Sequence, residues 1–311
     1  MRVIEVREYG DPDVLQEAEW PDPVATDGKV RVRVAATVAN PADLGTRAGA
    51  MAARTLNAKP PIVLGWDFAG TLLDATDEYP VGTRVAGLYP WFALGDGTGT
   101  YAEQIVADPS WITAIPDGVG FPEAATLSLN GLTAAQALDL ASLQPDQTLL
   151  VTGATGGVGG FATELAAAAG INVIAVASTG DEEFVTSLGP TEILSRGTAE
   201  EIVAAVRTRH PDGIDGVVDG AVIGAELIGA VRDGGVFIAT ITPAIPAPER
   251  GIRTAQVMVG PNGPQLGDLL GKVAAGSLRT RIADVRPLAD AAEAHRRLAA
   301  GGLRGKIVLT A

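Results

Sequence analysis

Apolar and polar positions alternate from Lys29 to Ala35, and a period of two over seven residues predicts a strand with one buried face. Met1 to Arg7 alternates in the same way, and Arg84–Leu88 and Tyr101–Val106 are short, β-prone runs separated by prolines and glycines. From Pro122 the texture changes. Glu123–Leu129 and Thr133–Leu140 are alanine-rich and helical in pattern, and an apolar strand follows, Leu149 to Thr152. Strand-like Ile171–Ala177 then opens a regular alternation: helix Asp181–Leu188, strand Glu192–Leu194, helix Ala199–Thr208, strand Gly216–Asp219, helix Ala225–Val231, strand Val236–Ala239. Units of this length predict a doubly wound parallel sheet. After the proline-rich Pro243–Pro248 come helices Gln265–Ala275 and Asp290–Ala300 and a closing strand, Lys306–Leu309.

The most informative stretch is Thr152-Gly153-Ala154-Thr155-Gly156-Gly157-Val158-Gly159, between the first apolar strand and an alanine-rich helix over Phe161–Ala169. Glycines let the backbone turn tightly and approach a ligand without a Cβ between them, and a helix start presents free N–H groups at the positive end of its dipole. Strand, turn and helix together predict a dinucleotide pyrophosphate site. The pattern is G-x-x-G-x-x-G, because Ala154 stands where the strict fingerprint has its first glycine. It also satisfies the T-G-x-x-x-G-x-G of short-chain dehydrogenases. That reading fails, since half the chain precedes the motif and no tyrosine is followed four residues later by lysine.

Composition narrows the picture. The 311 residues suffice for two domains, and 47% hydrophobic content with 39 glycines suits an α/β enzyme. The absence of cysteine removes disulfides, thiolate metal sites and cysteine nucleophiles. A net charge of -14 disfavours nucleic acid and anionic membranes as partners. No signal-like apolar core and no span-length apolar run occur, so a cytoplasmic location without membrane contact is expected. His210 and His295 lack partners at ligand spacing, and no metal is expected.

Several separated motifs then agree. Asn40-Pro41-Ala42-Asp43 with Arg47 and Gly49, Leu64 to Gly70, Val81 to Gly87, Gly131-Leu132-Thr133-Ala134 and Arg304 to Leu309 occur in the order found in zinc-free quinone oxidoreductases. The chain resembles that branch of the medium-chain dehydrogenase/reductase superfamily over essentially its whole length. The resemblance implies a GroES-like β-barrel domain (1–121 and 266–311) plus a Rossmann domain (122–265), with the active site in the cleft between them. Where the zinc-dependent branch places G-H-E, this chain has Gly65-Trp66-Asp67, an indole in place of the histidine. Without a Lewis acid, hydride delivery to an already electrophilic carbon is the natural chemistry.

The resemblance also assigns residues. The dinucleotide is expected on Thr152, Gly153, Ala154, Thr155, Gly156, Gly157, Val158 and Gly159, with Ser178, Thr179, Arg196 and Ala221 beyond the turn. Ala177 stands where an NAD enzyme carries an acid, and Ser178, Thr179 and Arg196 suit a 2′-phosphate, so NADPH is the expected cofactor. Asn40 is expected to donate to a carbonyl or to the nicotinamide ribose, or else to be an Asn-Pro turn residue. Thr133 is expected at a helix start near the nicotinamide, or as a simple N-cap. Asp43 and Arg47 are spaced to pair on a helix face, and Asp67 is expected to face polar backbone. Trp66, Trp91 and Met51 are assigned to the substrate pocket, with Tyr89 and Phe92 as further aromatics that could stack on a flat acceptor. Gly45 and Met51 occupy places where reductases of this branch often carry tyrosine, which leaves the proton source open. The reading is an NADPH-dependent quinone or enone reductase acting as a homodimer joined at the edge strand Thr254–Val259. Two alternatives stand beside it: a biosynthetic enoyl or enone reductase, and a non-catalytic NADPH-binding sensor or scaffold.

Overall fold

The computed structural model describes residues 1–50 and 59–311. Met51 therefore lies outside the described residues. The chain divides into two compact units, 1–132 with 260–311, and 133–259. The expected boundaries, after 121 and after 265, differ from these because a single helix, Phe121–Ala141, carries the chain across the first of them. Two helices are expected there. One forms because Asn130-Gly131 continues the helix: a Cβ on Gly131 would meet Leu127 and Leu269 at 3.1 and 3.2 Å, so the small residue admits the neighbouring helix Gly263–Ala274. Thr133 accordingly sits inside the helix and not at its start, which corrects the helix-start reading.

In the first unit the alternating strand runs over Val30–Ala39, longer than its pattern suggests because its last residues are buried on both faces. It is central to a seven-stranded sheet. Antiparallel partners are Asp67–Leu72, Gln104–Ala107 and Lys306–Thr310, so the last strand of the chain pairs beside one of the first. A three-stranded sheet is built on Arg2–Val6. Pro41–Arg47 forms a short helix immediately after the central strand, with proline at its first position, where a missing N–H costs nothing.

The second unit holds six parallel strands, with Thr148–Thr152 and Ile214–Asp219 side by side at the centre. Beyond the first lie Asn172–Ala177 and Glu192–Ser195, and beyond the second Val231–Ala239 and Arg253–Gln256. Strand order therefore reverses between the two central strands, the place where open α/β sheets bind ligands. The expected helix Ala225–Val231 is a 3-10 helix ending at Ala230, and Val231 already belongs to the next strand. The edge strand is shorter than expected and ends at Gln256.

Candidate functional site

The glycine turn follows the strand Thr148–Thr152 at this reversal. Gly153 has φ +70°, a conformation that side chains with a Cβ rarely adopt. The helix begins at Gly157, four residues before its alanine-rich stretch suggests, with Gly156 as its N-cap. Its first N–H groups have no carbonyl one turn back to bond. Gly159 is where close approach is decided. A Cβ there would lie 2.3 Å from the Gly153 carbonyl oxygen and 2.5 Å from that of Thr152. Gly156 differs, because an added Cβ meets only the Gly153 oxygen at 3.3 Å. Ala154 is buried, its N–H held by Val176 O. The turn is thus a bare-backbone cradle fixed by strand and helix, and it fits a dinucleotide pyrophosphate.

Asp219, at the end of the neighbouring strand, was not singled out by its sequence context. It is wholly buried and accepts from Thr152 Oγ1 (2.6 Å), Ile223 N (3.1 Å) and Gly224 N (3.1 Å). Thr152 Oγ1 in turn accepts from Ala221 N at 3.0 Å. Thr152 and Ala221 are therefore brought together by a carboxylate whose sequence signal is an acid closing an otherwise apolar strand. Arg196 is exposed, and its N–H donates to Ala177 O at 2.7 Å, which seats it beside the strand end that Ser178 and Thr179 follow. Of the nearby acids, Asp181 is buried and Glu182 accepts from Gly180 N at 2.8 Å.

The first unit contains a buried polar cluster around Asn40. Its amide nitrogen donates to Asp67 Oδ2 (2.6 Å) and Val38 O (3.1 Å), and its amide oxygen accepts from Lys306 Nζ (2.8 Å) and Asn130 Nδ2 (3.0 Å). Both amide protons are thereby engaged within the protein, so a free donor for a carbonyl or ribose is not what this geometry offers. Asp67 accepts a second bond from Leu129 N at 2.7 Å, the polar backbone contact its position suggests. Asp43 and Arg47 do not pair with each other. Asp43 accepts from Asn40 N (2.9 Å) and Gly65 N (3.2 Å), tying the helix start to the loop before Trp66. Arg47 donates to Gly10 O and to His295 Nδ1. That leaves Nε2–H of His295 to donate to Tyr101 OH (3.1 Å), whose own proton points to Asp43 Oδ2 (3.4 Å).

Electrostatics follow from burial. It pushes Asp43 up to about 7 and Asp67 up to about 6, against the lowering effect of their backbone donors. Burial lowers Lys306, and burial followed by the Arg47 charge pushes His295 down to about 3. Sequence reasoning missed Tyr101, Asn130, His295 and Lys306 as members of this cluster. A polar residue amid apolar neighbours was the available signal, and the chain separations of 58 to 266 residues hid the grouping.

Among the aromatics, Trp66 stands edge-on to Phe92 (centroids 4.6 Å) and 6.4 Å from Trp91. Trp91 is only 1% exposed and gives its indole N–H to Val63 O, so it supports Trp66 from the core instead of offering a face to a ligand. Tyr89 belongs to a separate contact with Trp111 and Thr98. Thr133 is buried at 7% exposure within its helix. Among the described residues no group of three or more His, Asp or Glu side chains could hold a metal ion.

A parallel sheet with a bare-backbone glycine turn at its reversal point, in a chain that also carries a separate β-rich unit, is the architecture of the two-unit nicotinamide-dinucleotide-dependent oxidoreductases. Residues 26–117 match the alcohol dehydrogenase GroES-like domain and 188–309 the zinc-binding dehydrogenase family. The chain belongs to the medium-chain dehydrogenase/reductase superfamily. It is 33% identical over 228 residues to a chloroplast envelope quinone oxidoreductase homolog of Arabidopsis thaliana, covering 70% of this chain and 67% of that one. In two other relatives the match spans about half their length. The quinone oxidoreductase of Coxiella burnetii has the same fold, with a TM-score of 0.90, 28% identity and coverage of 100% and 99%. A mycobacterial protein solved with NADPH superposes over 100% of both chains, with a TM-score of 0.82 and 25% identity.

Proposed function

We propose that this protein is an NADPH-dependent reductase of quinones and other α,β-unsaturated carbonyls, with the second unit holding the dinucleotide and the first receiving the acceptor. The observation that carries this reading is the Gly153–Gly159 cradle, whose helix start and missing Cβ atoms suit a pyrophosphate. When bound, the nicotinamide supplies a hydride; the chain's own groups bind, orient and polarise. Thr152 to Gly159 would hold the pyrophosphate, with Ala221 fixed beside them through Thr152 and Asp219. Ser178, Thr179 and Arg196 would take the 2′-phosphate, since hydroxyls and a guanidinium welcome a dianion; of the acids nearby Asp181 is buried, Glu182 is bonded to Gly180 N, and Glu183 is exposed. The NADPH-bound mycobacterial relative supports that preference. Asn40 positions rather than donates, because Asp67 fixes one end of its amide and Lys306 the other. Trp66, buried at 8% exposure and edge-on to Phe92, is the aromatic we assign to the acceptor side.

The deciding experiment follows NADPH and NADH oxidation against a panel of quinones and enones, alongside titration of each dinucleotide by its own emission. Turnover with NADPH, preferred over NADH, is expected. Arg196→Ala should reduce that preference about tenfold, the worth of one charge-assisted contact. Equal efficiency with both dinucleotides removes the NADPH assignment, and binding without any turnover favours the sensor or scaffold.

A further inference from the structure

The glycine turn is one wall of the cradle. Segment 220–224 is the other: it follows the second central strand at the same end of the sheet, where Asp219 faces Thr152 in register. A Cβ added to Gly153 would meet Ala221 Cβ at 3.1 Å and Ala221 N at 3.3 Å, and one added to Gly220 would meet Gly159 N at 3.3 Å. The segment therefore packs directly on the turn and on the first residues of the helix Gly157–Ala168. Its position decides how much room the cradle has.

The segment does not hold that position by its own preference. Val222 has φ +56°, and a β-branched side chain makes the left-handed region costly. Val222 is also 41% exposed, so apolar burial does little to offset the strain. What holds the segment is a set of hydrogen bonds that lead to Asp219. Its carboxylate accepts from Ile223 N and from Gly224 N, each at 3.1 Å. Thr152 Oγ1 gives its one proton to Asp219 Oδ1 at 2.6 Å and accepts from Ala221 N at 3.0 Å. The N–H groups of Ala221, Ile223 and Gly224, on both sides of Val222, are thus fixed by one carboxylate, directly or through one hydroxyl. Asp219 is wholly buried and makes no ion pair among the described residues, so the same donors stabilise its charge. The Thr152 hydroxyl, its proton committed to this link, has none left to donate to a phosphate.

We propose that Asp219 is the positioning residue of the dinucleotide site. Through Ile223, Gly224 and the Thr152 hydroxyl it holds strained Val222 and its neighbours against the glycine turn, so the cradle is formed before the dinucleotide arrives. This rests on the reading of the turn as the dinucleotide site. The carboxylate acts only through the backbone it holds. Strain met on folding is strain that binding need not supply, and the benefit therefore appears in affinity.

Titration of Asp219→Asn with NADPH tests it. The amide is nearly isosteric, but it keeps one acceptor oxygen and turns an NH2 group toward a donor that the carboxylate satisfied. The Kd for NADPH should rise at least about tenfold, the scale of one hydrogen bond to a charged group, with most of the kinetic loss in KM for NADPH and little in kcat. Val222→Gly added to Asp219→Asn should recover most of that affinity, because glycine adopts this conformation freely, and its gain should be larger there than in the wild-type background. A carboxylate that merely stabilised the sheet would give no such rescue. Wild-type affinity in Asp219→Asn overturns the proposal, and so does a loss that Val222→Gly leaves unrepaired. If Asp219→Asn fails to fold by its melting curve, residue 152 decides. Thr152→Ser, which keeps the hydroxyl, should bind NADPH about tenfold more tightly than Thr152→Val, and equal affinities overturn the proposal. Wild-type protein that takes up neither NADPH nor NADH removes the dinucleotide reading and the proposal with it, a failure distinct from a dinucleotide-binding protein indifferent to residue 219.

Discussion

His295 is held as a neutral ring between a guanidinium and a phenol, and this makes stability depend on pH in a readable way. Its folded value is about 3, whereas an unfolded histidine binds its proton up to about 6.5. Between those limits the unfolded chain carries more protons, so the stability supplied by neutral His295 is absent below pH 3 and complete above about pH 6.5. Asp43 and Asp67 act in the opposite direction. Raised to about 7 and about 6, they keep protons that the unfolded chain has released, and their contribution falls as pH rises through those values. The gap in melting temperature between wild type and His295→Gln should therefore widen from pH 4 to pH 7. A gap independent of pH would show that the ring is not buried as the neutral form. A second residue-scale contrast lies in the glycine turn. Gly156→Val should weaken NADPH binding at least ~100-fold with the melting temperature nearly kept, because an added Cβ meets only the Gly153 oxygen, at 3.3 Å, and the branched side chain would fill the proposed pyrophosphate cradle. Gly159→Ala should instead destabilise the fold by about 1–3 kcal/mol, since its Cβ collides with backbone. Thermal melts beside dinucleotide titrations separate the two; wild-type binding in Gly156→Val would remove the cradle from the site.

At the scale of elements, the second unit was largely legible. Apolar runs bounded by glycine and polar clusters marked its strands, because parallel strands buried on both faces must be apolar throughout. Its errors come from local geometry. The helix after the cradle begins inside the glycines, where low helix propensity is overridden by packing against the strand. The 3-10 segment Ala225–Ala230 has helical composition with too little length before the next strand begins. The first unit was legible only in part, since two-residue Ile62–Val63 and three-residue Ile112–Ala114 leave no periodicity to read. Of the site, the pyrophosphate loop was visible as contiguous sequence. The Asn40 cluster was visible only as scattered polar residues, because it is assembled from two strands, three helices and the loop residues Asn40 and Tyr101. What could not be read was direction: nothing in the sequence says that the Asn40 amide is spent on Asp67, Lys306 and Asn130.

For the whole molecule, the edge of the six-stranded sheet sets the expected assembly. Arg253–Gln256 has a partner on one side only, and Met258 and Ile241 near its end are 70% and 40% exposed. An open strand flanked by apolar side chains invites a second copy. The protein should sediment as a dimer at micromolar concentration and Met258→Asp as a monomer; a monomeric wild type removes the idea. The placing of the aromatic residues has another consequence. Trp20, Trp66, Trp91 and Trp111, with Tyr9, Tyr79, Tyr89 and Tyr101, all fall within 1–132, and the unit 133–259, to which we assign the dinucleotide, contains neither residue type. Intrinsic emission excited in the near ultraviolet is therefore a signal from the first unit alone. The second unit is dark until it takes up reduced dinucleotide, whose blue emission then reports on it, so a single chain carries two optically separate reporters and the melting of each unit can be followed in its own colour.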